Sequence, residues 1–243
     1  MAGHSHWANI ERSKSKVDKV KGKVFSKWAK LIMAAARSGI PNPDDNLKLR
    51  YAIDRARADN MPKDSIERAI KKGAGELEGA SPEEVVYEAY GPGGVALVIE
   101  AITDNRSRTA PNLRMILSRR NGSLANTGAV AWMFKKRAMF AVERGSLDEN
   151  EVIEYALEHG AEDVSTEEPA IFGVEADPSA YLVLKAAMEK RGWVLQEASL
   201  RYVPDNWVVV GPEDALKLRE LIAALEEDED VQEVHHNAEL PDA

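Results

Sequence analysis

The sequence has no cysteine, few aromatic residues and no long apolar run. Without cysteine among its 243 residues, the chain cannot form disulfides, thiolate zinc sites or a cysteine nucleophile. Aromatic residues make up only 6%, so aliphatic side chains must supply most of the core packing. No apolar stretch approaches the roughly 18 residues of a membrane helix, and the polar N-terminus lacks the apolar region of a secretory signal. We therefore expect a soluble cytoplasmic protein.

Charge is strongly segregated along the chain. Residues 1–72 hold 17 basic and 8 acidic side chains, a net charge of +9. Residues 146–243 hold 6 basic and 25 acidic side chains, a net charge of −19, and the whole chain stands at −9. A polyanion would be attracted to the first segment and repelled by the last.

The basic side chains are densest between Glu11 and Arg37. Only Glu11 and Asp18 oppose eight cations within the first thirty residues, which are Arg12, Lys14, Lys16, Lys19, Lys21, Lys23, Lys27 and Lys30. Most of these cations recur with helical spacing beside an apolar stripe, which predicts a helix over 21–37 with a basic outer face. We predict that the eight side chains bind phosphates. The alternative is a solvated lysine face that only keeps a helix soluble.

A second candidate phosphate site lies at the start of a helix predicted over 107–120. Ser107 and Thr109 are candidate caps of this helix, and Arg106 and Arg108 stand near its positive end. Two arginines in such a place would bind a phosphate bidentately. The alternative is that the neighbouring carboxylate of Asp104 satisfies both arginines.

The periodicity of the chain changes after three predicted helices, at about 21–37, 45–59 and 62–72, the last with Pro62 in its first turn. Strands are predicted at 85–90 and 95–102, joined as a hairpin, and a further strand at 129–134 places Trp132 and Phe134 on one packed face. Residues 136–203 follow the order β-α-β-β-α-β of a ferredoxin-like unit. This unit is acidic and lacks the aromatic signature of RNA-recognition domains, so we assign no RNA stacking to it.

A helix at about 213–225 and the strand VQEVHH would then complete the interrupted sheet. We expect a multi-domain α+β protein, with an N-terminal three-helix domain followed by two α/β (ferredoxin-like) domains, the last inserted into the middle one. The predicted boundaries are 1–77 for the basic helical domain, 78–135 plus 204–243 for the discontinuous domain, and 136–203 for the acidic insertion.

Several local patterns have an ordinary structural explanation. The glycines after Tyr90 precede a β-branched strand rather than a helix, which favours a hairpin over a phosphate-binding loop. The acidic run 226–230 lacks the alternating ligands and the glycine of a calcium loop, so we interpret it as a solvated turn. His235 and His236 point to opposite faces of a strand and do not readily share a metal. We expect no metal, no cofactor and no catalytic residue.

Several long motifs resemble the YebC/PmpR (TACO) family of probable transcriptional regulators. They are GHSHWANI, KGKVFSKW, NMPKDSIERAIKKGAGE, YEAYGPGGVALVIEAITDNRSRT and VAWMF, in this order. The resemblance implies three domains, a cytoplasmic location, nucleic-acid binding and no enzymatic activity. Two places depart from the family pattern. Glu11 stands where many relatives carry a basic residue, and 121–125 read NGSLA where a Gly-Gly-Asn-Leu-Gly turn is usual.

We therefore expect a non-enzymatic DNA-binding transcriptional regulator that docks phosphates through its basic N-terminal domain. The alternative, also implied by the resemblance, is a ribosome-associated or rRNA-associated translation factor that relieves stalling at proline-rich stretches. An enzyme is disfavoured because the sequence offers no recognisable nucleophile and base pairing and no metal-ligand spacing. The acidic C-terminal half is a candidate surface for a protein partner, which leaves a pure protein-interaction module as a further alternative.

Overall fold

Helical spacing of small and aliphatic residues produces three short helices at the start of the described chain. The computed structural model describes residues 21–78 and 82–241. The helices are α1 (Lys21–Ser38), α2 (Leu47–Ala58) and α3 (Lys63–Gly73). All three were predicted. Asn46 caps α2 by accepting a hydrogen bond from the N–H of Leu49 at 3.0 Å. Pro62 is the N-cap of α3 rather than part of its first turn.

These helices pack through small residues that let their backbones approach closely. Ile32, Leu49 and Ala52 are fully buried in one apolar cluster that all three helices share. Gly73 marks the tightest contact, because a Cβ placed there would lie 2.4 Å from the carbonyl oxygen of Met33 in α1. No side chain fits at that distance, so the contact between α1 and α3 requires glycine.

The first sheet is built on the predicted hairpin. Strands β1 (Glu83–Tyr90) and β2 (Ala96–Thr103) pair antiparallel, and the turn between them contains Gly93 and Gly94 at φ values of 71° and 75°. Only glycine adopts such values without strain. The predicted hairpin is thus confirmed. After β2 the chain forms α4 (Arg106–Ser118) and the short strand β3 (Ser123–Leu124), which pairs with β1.

A distant segment completes this sheet, as the sequence predicted. In chain order, the remaining elements are β4 (Phe134–Glu143), α5 (Glu149–Glu158), β5 (Ala161–Ser165), β6 (Ile171–Ala176), α6 (Tyr181–Lys190), β7 (Leu195–Pro204), β8 (Val208–Val209), α7 (Pro212–Glu226), β9 (Val231–His236) and β10 (Ala238–Glu239). Strand β9 pairs antiparallel with β2, which gives the strand order β3-β1-β2-β9. Leucines of α4 and α7 share one buried cluster with Leu97 and Ile99 of β2, so both helices cover the same face of the sheet.

The second sheet has the predicted β-α-β-β-α-β order. Its strands β4, β5, β6 and β7 are all antiparallel and lie in the order β5-β6-β4-β7. The sequence order of these elements is that of a ferredoxin-like unit. The first sheet differs from the predicted ferredoxin-like pattern, because its elements occur as β1, β2, α4, β3 and then α7, β9.

The described chain divides into two compact units. Residues 21–78, 82–132 and 208–241 belong to one unit, and Met133–Trp207 belongs to the other. The protein is therefore a mixed α+β protein. Both four-stranded sheets of the described residues are antiparallel, and β8 and β10 form a short parallel pair. The finer three-domain boundaries expected from the sequence stay a prediction. Among residues 21–78 and 82–241, no helix has the length and apolarity that crossing a bilayer requires.

The predicted strand over 129–134 is wrong. Residues Ala131–Met133 form a 3₁₀ turn, and β4 begins only at Phe134, which is buried. Trp132, expected to pack beside Phe134, is 70% exposed. The reason is the buried carboxylate of Glu88, which accepts hydrogen bonds from the N–H groups of Gly128, Val130 and Ala131 at 2.5, 2.6 and 2.7 Å.

The three N–H groups stabilise the buried negative charge of Glu88. Their hydrogen bonds in return hold this part of the backbone in a turn. Burial of Glu88 disfavours ionisation, but the N–H groups outweigh burial and lower the pKa of the carboxyl. The cap of α4 was also misassigned. Asn105, not Ser107 or Thr109, accepts the hydrogen bond from the N–H of Arg108.

Replacing Gly73 with alanine tests the close contact between α1 and α3. The added Cβ would force the two helices apart, and overpacking of this kind typically costs about 1–3 kcal/mol. We expect the free energy of unfolding, measured by urea titration, to fall by that amount. Gly211→Ala is the matched control, because a Cβ at Gly211 meets no atom within 4 Å. Equal unfolding midpoints for the two variants would contradict the packing at Gly73.

Candidate nucleic-acid interface

The structure describes only part of the predicted phosphate-binding set. Four of its members, Arg12, Lys14, Lys16 and Lys19, lie outside the described residues. The backbones of Lys21 and Lys23 belong to the first turn of α1. Contacts are described for the other four, which are Lys27, Lys30, Arg106 and Arg108. The site as a whole stays a prediction, and the contacts of these four residues define what each can offer a ligand.

Lys30 and Arg108 converge on one buried carboxylate, that of Asp230. The Nζ atom of Lys30 lies 2.9 Å from Oδ1 of Asp230, and Nη2 of Arg108 lies 2.9 Å from Oδ2. Asp230 itself is only 4% exposed. A carboxylate in such a place must be paired, because burying an unpaired charge is very costly. The predicted phosphate contacts of Lys30 and Arg108 therefore compete with an internal anion.

Two buried hydroxyl groups complete the environment of Asp230. Oγ1 of Thr109 donates to Oδ2 of Asp230 at 2.7 Å, and Oγ1 of Thr103 lies 3.2 Å from the same oxygen. Burial alone would raise the pKa of Asp230, but hydrogen bonds from Arg108, Lys30 and Thr109 outweigh it and hold the pKa at about 2. Asp230 is therefore fully ionised at neutral pH.

The acidic run 226–230 is a docking point for α1, which corrects its interpretation as a solvated turn. The carbonyl oxygen of Glu226 accepts a hydrogen bond from Nζ of Lys27 at 2.8 Å, and that of Glu229 accepts one from Nζ of Lys30 at 2.9 Å. Oδ1 of Asp228 accepts a hydrogen bond from the N–H of Asp230 at 2.9 Å. The turn thus joins α7 and β9 to the basic helix that lies about 200 residues earlier in the chain.

Arg106 and Arg108 also have partners beyond the one considered from the sequence. Arg108 contacts Asp104 at 3.1 Å, as the alternative explanation expected, and it contacts Asp230 as well. Nε of Arg106 lies 2.5 Å from Oε1 of Glu83, and this hydrogen bond lowers the pKa of the exposed Glu83 carboxyl. Both arginine side chains remain more than half exposed, at 58% and 56%. Each guanidinium therefore keeps donors that face solvent.

Some cations of the helical region have no acidic partner within the described part of the chain. Four exposed or half-exposed side chains of α2 and α3 make no ion pair there, namely Arg57, Arg68, Lys71 and Lys72. In contrast, Arg50 pairs with Asp44. The unpaired set extends the predicted basic surface toward the end of α3, with charges that no described carboxylate neutralises.

One cluster has the composition of a metal site. The ligand atoms of Glu100, Glu233 and His235 lie within 4.8 Å of one another on β2 and β9. Nε2 of His235 is 3.0 Å from Oε2 of Glu100, and His235 is buried. The two carboxylates face each other across the strands, and a hydrogen bond from the imidazole offsets their repulsion. The arrangement is explained without an ion, and the expectation of no metal or cofactor stays a prediction.

Comparison with known protein families covers nearly the whole chain. The family described as TACO1/YebC protein N-terminal domain matches residues 5–76, and that described as TACO1/YebC second and third domain matches residues 82–238. The boundary between the two matches falls where the helical region ends and β1 begins.

Full-length relatives agree with these matches. A protein named "Probable transcriptional regulatory protein Teth39_1009", from Thermoanaerobacter pseudethanolicus, is 47% identical over 100% of this chain and 98% of its own. "Probable transcriptional regulatory protein ORF2U" of Hathewaya histolytica is 46% identical over the same shares. The crystal structure of the conserved hypothetical protein Aq1575 from Aquifex aeolicus matches with a TM-score of 0.84 and 42% identity, covering 98% of each chain.

Replacing Asp230 with asparagine tests its role as the anchor of α1. The change leaves Lys30 and Arg108 without their buried counter-charge, and breaking a buried pair typically costs about 3–5 kcal/mol. We expect a loss of that size in the free energy of unfolding at pH 7. The pKa of Asp230 is lowered in the folded protein. Its contribution to the free energy of unfolding is therefore complete above the ordinary aspartate value of about 4 and disappears as the pH falls towards 2.

The control for this substitution is Glu227→Gln. Glu227 is an exposed residue of the same turn, so its replacement removes the same charge without breaking a buried pair. Urea unfolding at pH 7 and pH 2.5 compares the two variants with the unaltered protein. Equal stability of both variants at pH 7 would show that Asp230 does not anchor the helix.

Proposed function

Because the chain belongs to the TACO1/YebC family, whose full-length relatives are named probable transcriptional regulatory proteins, we propose that it is a non-enzymatic regulator of gene expression that binds nucleic acid through residues 1–72. The observation that carries the proposal is the local charge of that segment, +9 in a chain of net charge −9. Excess positive charge in an acidic protein has a phosphate backbone as its most general ligand.

The internal contacts of α1 fix the position of this basic helix on the acidic turn. Lys27 and Lys30 tie one side of α1 to the acidic turn through Glu226, Glu229 and Asp230. These two lysines serve mainly to position the helix, so we assign phosphate contact to other cations of the basic segment. The chain immediately before α1 supplies Arg12, Lys14, Lys16 and Lys19, and α3 supplies Arg68, Lys71 and Lys72.

The relatives are named probable transcriptional regulatory proteins, and we therefore propose duplex DNA as the ligand. The proposed contacts are to the phosphates of that DNA. Phosphate contacts fix the position and orientation of a protein on nucleic acid without reading its sequence. The strongly acidic segment 146–243 would be repelled by the same polyanion. We propose that its carboxylates outside the turn 226–230, which contacts α1, make no contact with the nucleic acid and remain available to a protein partner.

Replacing Lys14, Lys16, Lys19 and Lys23 together with alanine tests the assignment. If the basic segment neutralises about five phosphates, it contributes roughly −4 to the slope of log affinity against log salt concentration. We expect the quadruple variant to lose most binding to duplex DNA and most of that slope, measured by fluorescence anisotropy between 50 and 300 mM salt. The melting temperature should change little if these lysines bind phosphate rather than hold the fold.

The matched control removes the same charge elsewhere, through alanine at Lys135, Lys185, Lys190 and Lys217. If both quadruple variants lose binding equally, net charge and not the basic segment governs the interaction. Sedimentation of the protein from cell extracts tests the RNA-based alternative. Co-migration with ribosomes that is abolished by RNase and unaffected by DNase would replace DNA with ribosomal RNA as the ligand.

A further inference from the structure

Three exposed arginines, none of them among the predicted phosphate ligands, lie near the C-terminal end of α4. Arg114 lies on the solvent face of the helix, and Arg119 and Arg120 follow its last residue. Within residues 21–78 and 82–241, none of the three makes an ion pair or a side-chain hydrogen bond. We propose that this Arg114/Arg119/Arg120 surface is a second phosphate-binding site, which holds the backbone of the nucleic acid bound by residues 1–72. The inference rests on the proposed function.

The three arginines differ from most other described arginines, which have an acidic partner. The sequence has 41 acidic against 32 basic residues, so carboxylates are plentiful. Most other described arginines pair with a carboxylate. These pairs are Arg50–Asp44, Arg106–Glu83, Arg108–Asp230, Arg137–Glu162, Arg144–Glu149, Arg191–Glu151 and Arg201–Glu197. The three exposed guanidinium groups meet no internal anion and are therefore open to an external one.

The fold holds this surface rigidly. Leu113 and Leu117 are fully buried on the opposite face of α4 and fix the helix on the first sheet. The chain then turns sharply at Asn121, whose φ of 57° is rare for a residue other than glycine. Gly122 closes the turn, since a Cβ there would lie 2.9 Å from the carbonyl oxygen of Tyr90. A rigid base lowers the entropic cost of binding an extended ligand.

The surroundings of the three arginines suit a sugar-phosphate backbone better than a metal or a small apolar ligand. Ser123 and Asn121 are exposed polar residues of the same turn and can donate to phosphate or sugar oxygens. Guanidinium groups bind phosphate bidentately, a geometry that lysine cannot reproduce. Recognition through these groups is independent of sequence, so the surface adds affinity and orientation rather than base specificity.

A competing explanation is that cations at a helix C-terminus stabilise the helix dipole. That effect is confined to the end of the helix, which Arg119 and Arg120 directly follow, and it does not account for Arg114, which lies about one turn before the last residue. The two explanations predict different losses. Removing a dipole contact lowers thermal stability and leaves nucleic-acid affinity intact, whereas removing a phosphate contact does the reverse.

The test is the full-length variant with Arg114→Gln, Arg119→Gln and Arg120→Gln. Three lost phosphate contacts should reduce the magnitude of the salt slope by about 3 and the affinity at 0.15 M salt by roughly a hundredfold. Binding is measured on a DNA duplex and on an RNA hairpin of matching sequence, so that the ligand showing the larger loss identifies the backbone held. Lysine at the same three positions should restore most of the slope, because charge is retained.

The matched control carries Lys190→Gln, Arg191→Gln and Lys217→Gln, an equal loss of charge on α6, its C-cap and α7. The inference is overturned if the arginine variant binds like this control, or if it loses thermal stability but no affinity. It is also overturned if the variant loses binding to polyglutamate and retains binding to both nucleic acids. Failure of the unaltered protein to bind either nucleic acid would instead refute the proposed function. The variant with alanine at Lys14, Lys16, Lys19 and Lys23 tests that function separately.

Discussion

A single buried carboxylate, that of Asp230, determines how the basic helix joins the rest of its unit. It receives hydrogen bonds from Lys30 in α1 and from Arg108 and Thr109 in α4, and it lies directly before β9. An anion excluded from water is stable only when its partners are fixed in place. The position of α1 on the first sheet therefore depends on an electrostatic contact more than on apolar area, since its large apolar side chains, such as Phe25, Trp28 and Ile32, pack in the cluster of the three helices instead.

This contact divides the cations of the chain into two groups with different tasks. Lys27, Lys30 and Arg108 are engaged by the acidic turn, so a phosphate would have to compete with a preorganised internal anion for them. Cations without internal partners meet no such competition. Positive residues that stabilise the fold and positive residues that bind a ligand cannot be separated by counting charges, and the separation becomes visible only when each carboxylate has been located.

Local sequence patterns predicted most of the fold because helical and strand periods are set by neighbouring residues. The three helices, the hairpin and the β-α-β-β-α-β order all follow from such periods. Trp132 was misplaced because the turn that exposes it is imposed by Glu88, more than forty residues away. The role of Asp230 was missed for the same reason, since Lys30 lies 200 positions away. The left-handed backbone of Asn121, in contrast, is set by its own local turn.

The fold brings acidic residues from the end of the chain into the same unit as the basic helices. The unit that holds the basic helices also contains 208–241, and its described residues carry 20 basic and 23 acidic side chains. Its net charge is thus slightly negative, and at distances beyond the Debye length of about 8 Å a polyanion gains little from it. Attraction must come from local clusters whose charges are not paired internally. Binding should therefore depend sharply on where cations are removed and weakly on how many, which makes position, rather than net charge, the variable that decides affinity.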